Sequence, residues 1–455
     1  MVVEYKDLPA IITIEDAIAA NSYYDNSDRN TMECGDISAA FATAEHIVEG
    51  SVRTGAQEQF YLETQVSLVI PGEGEEVEVW ASTQSPAGTQ KVVADVLGVG
   101  AHKVVVRVKR AGGGFGGKES RSMAITAAVA VAARKTGKPV RCMLDREEDM
   151  VMTGARNPFL GRYKVAFNSQ GLVQGLQVDL YNNSGWTQDV SCNVMTRAMF
   201  HSDGVYKVPN MRVRGYCCQT NTASNTAFRG YGLPQAVMIA EGWVEAIAER
   251  LGLALEEVRF RNLYKEGQLT HFNQVLEDCT VNRCWEECSR MAAFPRVQEQ
   301  VVDFNAANRW KKRGVAMTPV KLGIGFSATY LNQGSCLLNV YTDGTVLLSY
   351  GGMEMGQGLH TKMIQVCAHT LGIPHAMVHI SDTGTDKVPN APSTAASVSS
   401  DLHGGAVLQA ANTIKARLSK YKVGDRYLQS NLGAPPPPEK QPWRQLEELG
   451  GGGFL

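Results

Sequence analysis

Valine at 104, 105, 106 and 108, broken only by Arg107, forms a β-branched run that predicts a strand. After a glycine stretch, Met123 to Ala133 repeats small and apolar residues as a helix does, and Gly137 supplies its stop. The order recurs. Residues 345–350, Thr-Val-Leu-Leu-Ser-Tyr, predict a strand running into a turn over Gly351–Gly358. The next helix sets Met363, Val366, Cys367, Thr370 and Leu371 on one face and stops at Gly372. Asn225–Pro234 leads into a predicted helix over Gln235–Leu251, and Ser393–Ser400 precedes one from about Leu402. A weaker instance is the strand Val77–Ala81, which ends at Thr83-Gln84-Ser85-Pro86. Strands alternating with helices predict an α/β fold, and the hairpin signal Tyr341-Thr-Asp343-Gly344-Thr adds antiparallel pairing, hence mixed sheets.

The punctuation between these elements divides the chain. Residues 1–25 enter without room for a domain of their own and read as the end of a truncated preceding domain. Residues 26–270 form a first α/β domain. Residues 281–421 form a second, incomplete one, opening on a polar helical region around 281–312. From 422 to 455 the periodicity is lost between the prolines at 435–438 and the glycines at 450–453, which predicts a disordered tail.

Composition narrows the function classes. With 44% hydrophobic and 20% charged residues, the 455-residue chain reads as an ordinary soluble globular protein. A net charge of −2 gives no electrostatic reason to expect nucleic acid or a membrane as partner. The longest apolar run, Ala124–Ala133, is too short to span a bilayer, and the first residues lack signal-peptide form, so a cytoplasmic location is expected, with a peroxisomal one as alternative. The ten cysteines show no Cys-x-x-Cys spacing. Cys279, Cys284 and Cys288 are close enough to suggest a metal, but helical context favours packing, and His375 with His379 is no stronger a metal pair.

The chemistry concentrates in Ala111-Gly-Gly-Gly-Phe-Gly-Gly-Lys-Glu-Ser120, a strand-to-helix turn. Glycine lets backbone N–H groups approach a ligand closely, and the helix N-terminus favours an anion. Gly112-x4-Gly117-Lys118 is most of a phosphate-binding P-loop, but Glu119 stands where that loop needs a hydroxyl, and its carboxylate would repel phosphate. Gly112-x-Gly114-x-x-Gly117 fits a dinucleotide fingerprint, but the acidic residue that should follow is offered only by Asp145. Several small-residue helix N-termini could converge on one large anionic ligand; ordinary α/β connections in separate places, or a nucleotide site using Lys118, are the alternatives.

Four of these segments, Gly112-Gly-Gly-Phe-Gly-Gly-Lys-Glu119, Asn225-Thr-Ala-Phe-Arg-Gly230, Met355-Gly-Gln-Gly358 and Pro392-Ser-Thr-Ala-Ala-Ser397, together resemble the molybdenum-binding portion of the xanthine dehydrogenase and aldehyde oxidase family. The resemblance covers about residues 5–421 and implies two molybdopterin-binding domains with a molybdenum-bearing molybdopterin. The iron–sulfur clusters and FAD of such enzymes would reside in other domains. By resemblance, Gln84 would hydrogen-bond a molybdenum oxygen ligand, and backbone amides at Phe115, Gly116 and Arg229 would approach the metal's ligands, as would Ala396. Met355, Gly356, Gln357, Ala396, Ser397 and Ser399 would hold the pterin.

In the substrate pocket, Glu119 and Arg197 match the polar pair that orients a purine, and Phe326 and Tyr231 match the aromatic residues that sandwich it, followed by Ser327. Tyr231 stands where the family usually has phenylalanine, and Ser327 where it usually has threonine. The charged pair favours a purine, from hypoxanthine through xanthine to urate, over the aldehydes and N-heterocycles that relatives with apolar residues there prefer. The family also implies a homodimer and a general-base glutamate in a Gly-Glu-Pro-Pro-type motif, and no such motif occurs in this sequence. The expectation is therefore an enzyme fold that does not turn over alone, with a non-catalytic binding or dimerisation remnant as the rival reading.

Overall fold

The computed structural model describes residues 3–24 and 31–419, and the predicted tail of 422–455 lies outside them. Two compact units are interleaved along the chain. The first comprises residues up to Gln57, Arg156–Asn225 and Gly230–Gly323; the second comprises Glu58–Ala155, Thr226–Arg229 and the chain from Ile324 on. This differs from the contiguous division at 26–270 and 281–421. The reason is sheet pairing: Thr383 and Gly384, late in the chain, pair with Val108 and Arg107 and so complete a sheet begun by the middle segment.

In the first unit, five strands lie in the order Thr31–Cys34, Met211–Gln219, Val173–Gly185, Phe159–Phe167 and His46–Thr54. All neighbours are antiparallel except Val173–Gly185 with Met211–Gln219. The helix Leu233–Leu251 buries Ala236, Ile239, Ala240, Trp243, Val244 and Ile247 at three- and four-residue spacing, so a single stripe meets the sheet. Close approach needs small partners: a Cβ on Gly161 would lie 2.5 Å from Ile239 Cδ1. The segment expected to be the end of a preceding domain packs here, with Ile14 and Ala17 of the helix Ile14–Ala19 buried beside Leu160 and Cys218. The polar region around 281–312 is helical, over Val281–Met291 and Phe294–Ala307, but belongs to this unit.

The second unit carries a mixed sheet in the order Thr383–Gly384, Val104–Val108, Val77–Ala81, Val66–Pro71 and Val140–Met143. Val77–Ala81 and Val104–Val108 are parallel, as the intervening helix Pro86–Leu97 requires. The helix Ser122–Thr136 lays Ile125, Val129, Ala130 and Ala133 into the core formed with Val69, Val79 and Val106. A second sheet pairs the predicted hairpin, Cys336–Val340 with Val346–Tyr350, and adds the short strand Val378–His379. The helices Leu359–Leu371 and Ser399–Ser419 pack with it, burying Met363, Cys367, Val407 and Ile414. No helix among the described residues is long and apolar enough to cross a membrane.

Candidate functional site

The glycine-rich turn, the Gln84 turn, the 226–229 segment, the Met353–Gly358 turn and the Thr394–Ser397 turn all fall in the second unit, and hydrogen bonds join them. Gln84 is the hub. It is 2% exposed, its Oε1 accepts the Gly116 amide at 2.9 Å, and its Nε2 donates to the Thr394 carbonyl at 2.9 Å. Its backbone N–H donates to Lys118 O at 2.7 Å, and its carbonyl accepts from Thr394 N at 2.8 Å. Thr394 Oγ1 in turn accepts the Met353 amide at 3.0 Å, the Ala111 amide donates to Glu354 O at 2.9 Å, and the Arg229 amide donates to Phe115 O at 2.8 Å. The small-residue loops are thus one cluster rather than separate connections.

Glycine is required where the loops touch. A Cβ on Gly114 would lie 2.7 Å from Gln84 Oε1 and 2.9 Å from Met355 Sδ, and one on Gly116, at φ 103°, would lie 2.7 Å from Ala227 O. Phe115 between them sits at φ 53°, a strained value for a bulky residue, and the residue is 40% exposed. Ala396 and Ser397 are also left-handed, at φ 54° and 56°, directly before the helix that begins at Ser399. Gly325 N donates to Ala396 O at 2.9 Å, which brings Phe326 and the exposed Ser327 to this turn. Two hydrogen bonds with Asn332 hold the Phe326 backbone.

The Met355 turn differs from a simple anion cradle. Glu354 Oε1 accepts the amides of Gly356 and Gly358 at 2.8 and 3.0 Å, and Oε2 accepts that of His360 at 2.9 Å. The chain's own carboxylate therefore caps the helix Leu359–Leu371. Burial alone would raise the Glu354 pKa, but the three N–H donors outweigh it and hold it below the usual carboxylate value. Gln357 is folded back, accepting from Met355 N and donating to Met353 O. A Cβ on Gly356 or Gly358 would meet nothing within 4 Å, so this turn faces open space. Its chemistry suits a neutral ring better than a phosphate.

Lys118 corrects the nucleotide alternative. Its side chain is fully buried and its Nζ is held by Glu63 at 3.1 Å and Ser82 Oγ at 2.8 Å, so it is turned away from any phosphate that the turn could cradle. Glu119, by contrast, is half-buried in the bend just before the helix Ser122–Thr136.

Arg197 and Tyr231 belong to the first unit. Arg197 is half-buried on the helix Ser191–Phe200, its Nη1 donates to Gly323 O at 2.8 Å, and burial lowers its pKa from the usual value. One turn along, His201 Nδ1 lies 2.8 Å from Arg197 O, and Nε2 accepts the Gly323 amide at 3.0 Å. An acceptor role for Nε2 fixes the neutral tautomer with hydrogen on Nδ1, and burial pushes the His201 pKa down to about 4. Tyr231 sits at φ 48° between two left-handed glycines.

Glu354, Thr394 and Glu63 were not singled out from the sequence. For Glu354 a signal existed, an acidic residue just ahead of a Gly-x-Gly helix start; Glu63 and Thr394 carry none. Cys284 and Cys288 are exposed and Cys279 half-buried, and no group of three or more His, Cys, Asp or Glu among the described residues is placed to hold a metal ion.

Comparison with known proteins decides what the cluster belongs to. A family model described as molybdopterin cofactor-binding domain matches residues 20–263. The chain belongs to the molybdopterin cofactor-binding domain family. A second model of the same description matches residues 287–431 of this molybdopterin-domain chain, reaching beyond the boundary expected at 421. Xanthine dehydrogenase/oxidase of Rattus norvegicus is 52% identical over 421 residues, covering 92% of the chain and 32% of the relative. Xanthine dehydrogenase of Calliphora vicina is 49% identical, with 92% and 31% covered. The chain therefore spans about a third of the length of these relatives. Among solved structures, the aldehyde oxidoreductase of Desulfovibrio desulfuricans superposes with TM-score 0.84 at 25% identity, covering 92% of the chain and 47% of that one. Quinoline 2-oxidoreductase of Pseudomonas putida shares the fold, with TM-score 0.80 at 22% identity over 91% of the chain and 55% of that one.

Proposed function

We propose that the loop cluster of the second unit holds molybdopterin and that the chain serves a molybdenum hydroxylase of the xanthine dehydrogenase type whose substrates are purines. The observation that carries this reading is the joining of the five loops around Gln84, which bonds Gly116 on one side and Thr394 on the other. The names of the relatives at about half identity support the same enzyme class. Bound there, the cofactor would supply a metal centre able to take up the electron pair released when a ring carbon is hydroxylated.

The chain's own contribution is positioning. Gln84 fixes the turn at Gly116; Gly114 and Gly116 keep the backbone bare enough for close approach; the open Met355–Gly358 turn suits the pterin ring; and the helix beginning at Ser399 presents its positive end beside Ala396 and Ser397. Arg197 is the donor proposed to stabilise negative charge developing on the purine, and removal of such a donor typically costs about 10²–10³ in rate. Glu119 is proposed to hydrogen-bond the purine edge, and Tyr231 and Phe326 to stack on it. A cytoplasmic homodimer is part of the same proposal and rests on the resemblance alone.

The test is release of pterin. The purified chain, made in a host that synthesises the cofactor, is denatured and oxidised, and pterin fluorescence is read in the supernatant. Pterin in proportion to protein is expected, and a Gly116→Ala chain should carry much less. Absence of pterin from the wild-type chain would contradict the proposal.

A further inference from the structure

A fully buried lysine is costly unless its charge is matched, and Lys118 is 0% exposed at the end of the glycine-rich turn. Its Nζ meets Glu63 Oε2 at 3.1 Å and Ser82 Oγ at 2.8 Å, and lies 4.6 Å over the Tyr61 ring. The same Glu63 oxygen accepts the Ser82 hydroxyl at 2.6 Å and the Gly112 amide at 2.7 Å, and Glu63 N donates to Gly112 O at 3.2 Å. One carboxylate oxygen therefore ties the first glycine of the turn to the lysine that ends it. Around it, Gln65 Nε2 donates to Gly117 O at 2.9 Å and to Tyr61 Oη at 3.0 Å, while Tyr61 Oη donates to Asp149 at 2.6 Å. A Cβ on Gly112 would lie 2.4 Å from Glu63 Cβ, so the turn is pressed onto this bed.

We propose that Lys118, Glu63 and Ser82 form a positioning clamp that sets the backbone of Gly112–Gly117 from beneath, its purpose resting on the cofactor reading above. None of the three is proposed to touch cofactor or substrate. Their work is to fix both ends of the turn, so that the Gly116 amide stays on Gln84 and the loop cluster keeps its shape. Burial pushes the Lys118 amine below its usual pKa, although Glu63 opposes this. For Glu63, burial is outweighed by the Ser82 hydroxyl, the Gly112 amide and Lys118, which hold it below the usual carboxylate value.

The experiment measures amide hydrogen exchange of the full chain, in wild type, Lys118→Met, Ser82→Ala and the double variant Lys118→Met/Glu63→Gln, alongside pterin content. In Lys118→Met, peptides covering 111–118 should exchange about tenfold faster or more, while those of the hairpin Cys336–Tyr350 in the same unit keep the wild-type rate. The double variant, which leaves no unmatched charge, should recover overall unfolding stability yet keep the fast-exchanging turn. Wild-type exchange at the turn in Lys118→Met, or acceleration of turn and hairpin together, would overturn the clamp. Should Lys118→Met fail to fold, Ser82→Ala decides, with an intermediate acceleration confined to the turn expected and none overturning the proposal. A wild-type chain without pterin whose turn still depends on Lys118 would support the clamp and sink the cofactor reading, so the two failures are distinguishable.

Discussion

Single residues carry the site through what they leave out or hold in place. Gly116 combines a left-handed backbone with a carbonyl neighbour 2.7 Å from where a Cβ would sit, whereas Gly137 is left-handed with nothing within 4 Å. Gly137→Ala should therefore cost about 1 kcal/mol, from backbone strain alone. Gly116→Ala should cost roughly 1–3 kcal/mol more, from the clash. Urea unfolding of both variants checks this, and equal costs would contradict the close packing on Ala227. Histidines supply a pH dependence. Burial pushes His201 and His403, each 2–3% exposed, down from 6.5 to about 4. Between those values the unfolded chain binds protons that the folded chain refuses, so stability falls as pH drops from 6.5 toward 4, by roughly 3 kcal/mol per histidine. Unfolding at pH 7 and pH 5 should show a loss that shrinks in the variant His201→Gln/His403→Gln; an unchanged loss would point to other groups. At this scale the glycines were legible because bare backbone in a strand-to-helix turn has few other uses, whereas Gln84 was singled out only through the family resemblance. Lys118 was not, because a charged residue inside a glycine-rich turn reads as exposed until its buried partners from distant sequence are seen.

At the scale of elements, strands and helices followed the hydrophobic period closely: Val104–Val108 and Val77–Ala81 match their predicted bounds, and Gly137 and Gly372 end their helices in left-handed conformation. Loop chemistry was harder to read. The helix Leu359–Leu371 was expected to offer its N-terminal amides to an anion, but Glu354 occupies them. Glu354→Gln should destabilise the second unit by about 1–3 kcal/mol at pH 7, since charge-assisted bonds to three amides become weaker ones. The folded pKa of Glu354 lies below its usual 4.5, so this stabilisation is present above about pH 4.5 and is lost as pH falls through the folded value. Wild type and variant should converge in unfolding free energy under acid; a gap that persists there would show that the charge is not the source.

Across the whole molecule, the sequence suggested two domains in series, and the units are interleaved. Local periodicity cannot reveal such an arrangement, because it depends on which strand pairs with which, and the deciding pair, Thr383–Gly384 on Val104–Val108, is only two residues long. Val106 is held by that late segment through both its N–H, to Thr385 Oγ1 at 3.0 Å, and its carbonyl, from Thr385 N at 3.1 Å. A chain ending at residue 323 should keep slow amide exchange in Leu233–Leu251, whose core lies in the first unit, and lose it in Val104–Val108. Retained protection at Val106 would contradict the interleaved organisation. The same topology gathers loops from residues 84 to 397 around Gln84, and that gathering is the basis for reading the chain as a molybdopterin holder. Elemental analysis of molybdenum and phosphorus in the purified chain, made in a cofactor-producing host, tests this most directly. Near-stoichiometric molybdenum that falls sharply in Gln84→Ala is the predicted result; a folded wild-type chain free of molybdenum would contradict it.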